Sequence, residues 1–135
     1  MFIPNKKKFR KSRKGIIKGV ELKTINLRFG DSGLKSLENG RITSKQIETV
    51  RQAIRRKIRP FGGKIWIRIF PHIAITSKPA EVRMGKGKGS IKTWVAKVKK
   101  GQVLYEISGV PLNFAKQILL KGGHKLPVLV KFISK

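Results

Sequence analysis

Charge balance constrains this chain more than any motif does. It sets 33 Lys and Arg against 6 Asp and Glu, a net charge of +27 over 135 residues. Self-repulsion on that scale works against a compact state in free solution, so the chain is expected to lie beside a polyanion that neutralises it. The acids Glu21, Asp31, Glu38, Glu48, Glu81 and Glu106 stand singly, and none falls between Glu48 and Glu81 or between Glu81 and Glu106. The cations therefore form continuous surfaces. Such surfaces bind phosphates by Coulomb attraction and counterion release, with steep salt dependence, and arginine adds a fork that matches phosphate oxygens. By this argument alone RNA and DNA fit equally well. An anionic membrane is the rival polyanion, but it calls for a basic amphipathic helix with bulky apolar anchors or a long apolar span. No run of eighteen apolar residues occurs, and no membrane partner is expected.

The length is that of one domain, and 39% hydrophobic residues can supply its core. Ile25, Leu27 and Phe29 alternate with polar neighbours, which predicts a half-buried strand ending at the turn signals Gly30-Asp31-Ser32-Gly33. Thr43-Ser44-Lys45-Gln46 matches a capping box, and Ile47, Val50, Ile54 and Ile58 follow at helical spacing as the core face. On the opposite side Lys45, Arg55, Arg56 and Arg59 gather, interrupted by Glu48, and Pro60 with Gly62-Gly63 ends the helix. Residues 64–70 predict a strand with Ile65, Ile67 and Ile69 on one face and Trp66, Arg68 and Phe70 on the other. Trp66 and Phe70 beside Arg68 have the makings of a base-stacking platform. A strand buried on both faces accounts for the pattern more cheaply and is the preferred reading. Residues 93–98 and 103–107, joined by Lys99-Lys100-Gly101, read as a hairpin. Pro111 stands where a first helical residue is favoured, Leu112, Ala115, Ile118 and Leu119 continue a short helix, and Gly122-Gly123 stops it. Residues 128–133 form a last strand. A few strands plus two helices is an α+β plan, expected as one domain over residues 21–135.

Two basic excursions leave that plan. Residues 1–20 hold eight Lys and Arg and no acid, broken by Pro4, Gly15 and Gly19, and read as an extended arm. Phe9 there could stack on a base, and a solvated disordered tail is the plainer alternative. In Met84-Gly85-Lys86-Gly87-Lys88-Gly89-Ser90 three glycines alternate with two lysines directly after Arg83. Glycine lets a backbone come close to a ligand, and the lysines bring charge, which suits an RNA backbone; a merely flexible loop tip is the alternative. The stretch lacks the spacing of a nucleotide-hydrolase phosphate loop and of the KH-domain G-x-x-G clamp.

No catalytic set emerges. There is no cysteine, and His72 and His124 are too few for a multi-histidine metal site. The scattered acids offer no close-spaced pair for acid/base work, and Ser77 and Ser108 lack a nucleophile context. Neither a metal nor a cofactor is expected. A free nucleic-acid chaperone or architectural DNA binder would use the same charge, whereas an RNA-modifying enzyme would need a site the sequence does not supply.

The residues nevertheless resemble a known family nearly end to end. The resemblance is carried by Pro4-Asn5-Lys6-Lys7-Lys8-Phe9-Arg10-Lys11, Phe29-Gly30 with Gly33-Leu34-Lys35, and Arg41-Ile42-Thr43-Ser44-Lys45-Gln46-Ile47-Glu48. More specific are Gly63-Lys64-Ile65-Trp66-Ile67-Arg68-Ile69-Phe70-Pro71, Lys78-Pro79 with Val82-Arg83-Met84-Gly85-Lys86-Gly87-Lys88-Gly89, and Gly101-Gln102-Val103-Leu104-Tyr105-Glu106. In these stretches the chain is similar to the large-subunit ribosomal protein L-sixteen family of bacteria and organelles, related to the eukaryotic and archaeal L-ten-e proteins. The resemblance implies an α+β fold with a hammerhead-like mixed or antiparallel sheet, and no catalytic residue. It implies docking on ribosomal RNA near the peptidyl-transferase centre, a part in positioning tRNA in the aminoacyl site during translation, neighbouring ribosomal proteins as partners, and no homo-oligomer. Carried across, Arg51, Arg55, Arg56 and Arg59 would meet ribosomal RNA, while Lys6, Lys7, Lys8, Arg10 and Lys11 of the arm and Arg83, Lys86 and Lys88 of the loop would lie near ribosomal RNA and tRNA.

Three segments depart from the bacterial pattern: His72-Ile73-Ala74, Lys92-Thr93, and the helix exit Pro60-Phe61-Gly62-Gly63, which is one residue longer; the family's contacts are not carried to the first two. Ser77-Lys78-Pro79-Ala80-Glu81 and Lys99-Lys100-Gly101-Gln102 look most like members encoded in mitochondrial genomes, which would need no targeting sequence. The mitochondrial matrix is the expected compartment, ahead of plastid stroma and bacterial cytoplasm.

Overall fold

A computed structural model describes residues 2–5 and 8–135 of the chain. Its best-specified element is the helix α1, Ser44–Ile58. The Thr43 hydroxyl accepts from the Gln46 amide at 3.3 Å, and the Gln46 side chain accepts from the Thr43 amide at 2.9 Å, so the capping box is complete. With the start fixed, Ile47, Val50, Ile54 and Ile58 all turn inward and are buried. A 3-10 turn, Arg59–Phe61, follows, and Gly62 takes the left-handed conformation at φ 67° that closes it.

Seven strands accompany α1 and a second helix, α2, Leu112–Gly123: β1 Ser32–Ser36, β2 Gly40–Thr43, β3 Lys64–Ile67, β4 Ile73–Ser77, β5 Ser90–Val98, β6 Val103–Ser108 and β7 Val130–Ser134. They form two sheets, ordered β3-β6-β1-β7 and β2-β5-β4, in which every pairing is antiparallel. The architecture is α+β, with the strands divided between two sheets in place of the single sheet expected. One core joins Leu34, Ile42, Ile54, Val98, Leu104 and Leu119 across both sheets and both helices, and Phe2 packs against it.

Several expectations change. Residues 25–29 are not a strand, because a side chain captures their backbone: the buried Glu106 carboxylate accepts from the amides of Arg28, Phe29 and Gly30 at 2.7–3.2 Å. The true strand begins where turn signals were read. A Cβ on Gly33 would lie 2.8 Å from the Tyr105 carbonyl oxygen and 2.6 Å from Leu27 Cδ2, so this glycine marks close strand approach and not a reversal. Residues 93–98 and 103–107 are strands but not a hairpin. β5 is flanked by β2 and β4, and β6 by β1 and β3, leaving neither a free edge for the other. The connecting backbone bonds elsewhere, Gly101 N to Ser36 O, Ser36 N to Gln102 O and Val103 N to Thr24 O, so the chain crosses from one sheet to the other. The strand expected over 64–70 stops at Ile67, and β2 and β4 add two more that were not foreseen.

At the second helix Pro111 is the residue before the first turn. Gly122 and Gly123 lie inside its last turn and do not stop it. Both are buried, with Ile54 Cγ1 at 2.9 Å from a Cβ built on Gly122 and Val130 Cγ2 at 2.4 Å from one on Gly123. These glycines let α2 approach α1 and β7 closely.

Candidate nucleic-acid interface

The capping box that turns four apolar residues of α1 inward turns its arginines outward. Arg55, Arg56 and Arg59 are exposed, whereas Arg51 is half-buried and forks onto Glu48 at 2.9 and 2.5 Å. That pairing holds the Glu48 carboxyl below its usual range, with the Arg51 hydrogen bond the largest cause. Three of the four helix cations expected to meet RNA thus have open guanidinium groups, and the fourth already serves an acid.

Beyond the end of α1, Arg55, Arg59, Gly62, Lys64 and Trp66 line an open groove of about 800 Å³. Trp66 was read as a structural residue of a two-faced strand. It is indeed half-buried, and its ring stacks on Phe29 with centroids 6.3 Å apart and planes 19° apart, but it also forms part of the groove wall. Phe29 is 54% exposed, and the Arg68 guanidinium lies 5.8 Å from its ring centroid. Phe70 is exposed.

Glu106 sets this aromatic and cationic cluster. Besides its three amide donors it accepts from Arg68 Nη1 at 2.5 Å, and the same nitrogen donates to the Asn26 carbonyl at 2.7 Å. Burial pushes the Glu106 carboxyl up, but the Gly30 and Phe29 amides, Arg68 and the Arg28 amide outweigh it and hold it below the usual range. The carboxylate therefore stays charged, cancels the Arg68 charge, and fixes the backbone that carries Phe29.

The second cationic region is built on the loop between β4 and β5. The strands pair as far as Ser77 and Ser90, and the loop crosses over with Gly85, Lys86 and Gly87 at φ 103°, 52° and 83°. Lys86 is the one non-glycine residue with positive φ among those described, an arrangement that costs a lysine about 1 kcal/mol. Lys78 Nζ donates to the Gly85 carbonyl across this turn. Arg83, Lys86 and Lys88 are exposed.

The arm and this loop meet. Lys11 Nζ donates to the Lys88 carbonyl at 3.2 Å, and Lys88 Nζ donates to the Ser12 carbonyl at 2.8 Å. Farther along, Arg41 Nη2 donates to the Gly15 carbonyl at 2.6 Å, and Val20 bridges to Lys100. Lys8 and Arg10 are exposed, Lys8 beside the Phe9 ring at 5.7 Å; Lys6 and Lys7 lie outside the described residues. Lysines bonded to carbonyls keep their full charge, so the contacts gather cations without neutralising them. Arg41 and Lys78 were missed from sequence. Arg41 sits on the unforeseen β2, and only the fold brings Lys78 to Gly85.

The acids of the two regions are few, Glu48 at Arg51, the buried Glu106 and the exposed Glu81 of the β4–β5 loop, and the cations outnumber them, so the arrangement is suited to polyanion binding. Among the described residues no three His, Asp or Glu side chains come together as a metal site, and no helix is long and apolar enough to cross a membrane.

Comparison with known proteins gives a consistent result. Residues 4–133 match the family described as ribosomal protein L16p/L10e. The chain is 47% identical over 135 residues to the large ribosomal subunit protein uL16 of Azorhizobium caulinodans, covering 100% of this chain and 98% of that protein. It is 49% identical over 135 residues to the large ribosomal subunit protein uL16 of Gluconacetobacter diazotrophicus, covering 100% and 97%.

Proposed function

This chain belongs to the ribosomal protein L16p/L10e family, and from that premise we propose that its two cationic regions hold ribosomal RNA near the peptidyl-transferase centre and help position tRNA in the aminoacyl site. The coarser role follows from the family: a structural constituent of the large ribosomal subunit, acting in translation, not an enzyme, with large-subunit RNA and other ribosomal proteins as partners. The finer reading rests on one observation, the meeting of the arm and the Gly/Lys loop through Lys11, Ser12 and Lys88. Two excursions separated in sequence by β1 to β4 and α1 converge on one strongly cationic surface, which is the arrangement needed to grip a phosphate backbone from two sides.

In this reading Arg55, Arg56 and Arg59 anchor the body on ribosomal RNA, with Arg51 held in place by Glu48. Lys8, Arg10, Lys11, Arg83, Lys86 and Lys88, with Lys6 and Lys7 of the same arm, face ribosomal RNA and tRNA. Residues 1–20 act as an arm on a single domain of residues 21–135, and the chain forms no homo-oligomer. The compartment proposed is the mitochondrial matrix, on the likeness of residues 77–81 and 99–102 to organelle-encoded members; the two relatives named above are bacterial, which makes bacterial cytoplasm the competing compartment.

The test is fractionation of a native lysate and of purified organelles on sucrose gradients at moderate and high salt, following this chain by immunoblot. Co-sedimentation with large subunits, lost only at high salt, is the expected result. A pool confined to the top of the gradient would point instead to a free nucleic-acid chaperone.

A further inference from the structure

We infer that the groove between the end of α1 and β3 seats an unpaired nucleotide of the bound RNA, its base against the Trp66 indole and its phosphate held by Arg55 and Arg59. The inference rests on the RNA-binding reading above and adds a mode of recognition to it.

Three features of the groove select this occupant. Its charged lining is wholly cationic, from Arg55, Arg59 and Lys64. The groove opens where α1 ends, and a helix C-terminus carries only about half a negative charge, so three full positive charges decide the sign of the local field. An anion is favoured there. Guanidinium groups alone would accept any phosphate and would not distinguish paired from unpaired RNA.

The second feature makes that distinction. Trp66 contributes an aromatic wall, and the Phe29 ring stacked on it at 6.3 Å holds it as part of a rigid pair. Phe29 is in turn fixed through its amide, 2.7 Å from the Glu106 carboxylate. An aromatic side chain can stack only on a base whose face has left the helical stack, so the wall fits a nucleotide in a loop, a bulge or a single strand. The third feature is access. Gly62 is exposed, its φ is 67°, and a Cβ built on it would meet nothing within 4 Å. The groove therefore has bare backbone at its mouth, and about 800 Å³ is room for a nucleotide.

The test uses the full chain with Trp94→Phe, which leaves Trp66 as its one tryptophan. The probes are a single-stranded RNA oligonucleotide and the blunt duplex formed with its complement, compared at equal phosphate concentration. Single-stranded RNA is expected to quench the Trp66 fluorescence and the duplex to leave it unchanged. Trp66→Leu should weaken single-strand binding at least about five-fold, the loss of one base stack, with duplex binding unaltered, while Trp66→Phe keeps the preference. Equal quenching by both probes, or single-strand binding with no quenching, overturns the groove assignment and leaves the RNA-binding reading standing. Failure of the unsubstituted chain to bind either probe overturns that reading and the groove with it. Because the quenching measurement needs only the Trp94→Phe protein, the inference stays testable even if Trp66→Leu does not fold.

Discussion

Replacing Glu106 by Gln removes one charge and almost no volume from the interior. The Glu106 carboxylate is fully buried and accepts from the Arg28, Phe29 and Gly30 amides and from Arg68 Nη1 at 2.5 Å. Gln keeps one acceptor oxygen but turns an amino group toward donors that cannot accept from it. The Arg68 side chain, 10% exposed, loses its charged partner and keeps the Asn26 carbonyl and the Phe29 ring. Removing one partner of a buried pair costs about 3–5 kcal/mol. That is less than the sum of separate charged hydrogen bonds, because donors converging on one group are not independent. On a domain stability of roughly 5–15 kcal/mol, the loss is easily seen as a lower midpoint in urea unfolding followed by circular dichroism. The pH dependence supplies a second readout. The folded carboxyl lies below its ordinary value of 4.5, so its contribution is fully present above that value and is lost as pH falls through the folded value. Wild type should lose stability in acid, and the Gln variant should show a shallower acid limb. A variant within about 1 kcal/mol of wild type at neutral pH, with the same acid limb, would refute the view that this carboxylate organises residues 26–30 and Arg68.

Other substitutions separate core from surface. Ile54→Asp puts an unpaired charge at a fully buried position and should abolish folding, checked as loss of soluble, protease-resistant protein. Gly122→Ala gains about 1 kcal/mol of helix propensity but drives a methyl to 2.9 Å from Ile54 Cγ1; overpacking of about 1–3 kcal/mol should win, giving a lower unfolding midpoint. Arg83→Ala with Lys86→Ala and Lys88→Ala should leave that midpoint unchanged while impairing translation or late subunit maturation, and normal subunit profiles and growth would defeat the loop assignment. Arg55→Ala with Arg59→Ala should flatten the plot of log affinity for duplex RNA against log salt by about 1.5 to 2; an unchanged slope would remove these residues from the phosphate contacts.

α1 was legible in the sequence because local signals agree there: a cap, an apolar stripe at helical spacing and a Pro-Gly exit all concern residues within a few turns of one another. The sheets were less so. Ile73–Ser77 follows Pro71 without clean alternation, and Gly40–Thr43 is too short to show a period, so β4 and β2 exist through their pairing with β5. The glycines were ambiguous for a related reason. Gly33 and Gly122 look like punctuation in sequence, and only neighbouring atoms in the fold show them to be places where a Cβ would collide. For the site, charge is written into composition, so the cations could be named from sequence. Their grouping could not, since it depends on a lysine reaching a carbonyl in a distant segment. Trp66 was set aside because strand alternation tells which residues share a face, not what lies opposite that face.

The pairing of β1 also governs when the chain can finish folding. Ser32 pairs with Ile107 on one side and with Ser134 on the other, whereas all partners within the β2-β5-β4 sheet have been made by Val98. During synthesis the smaller sheet can close early, while β1 waits for strands made much later, and contacts of such long sequence separation form slowly. A product halted before Val130 keeps one flank of β1 without its neighbour, presenting unpaired backbone groups of the kind that recruit other strands. Closure of β1 by β7 therefore waits until the chain has been translated through Ser134.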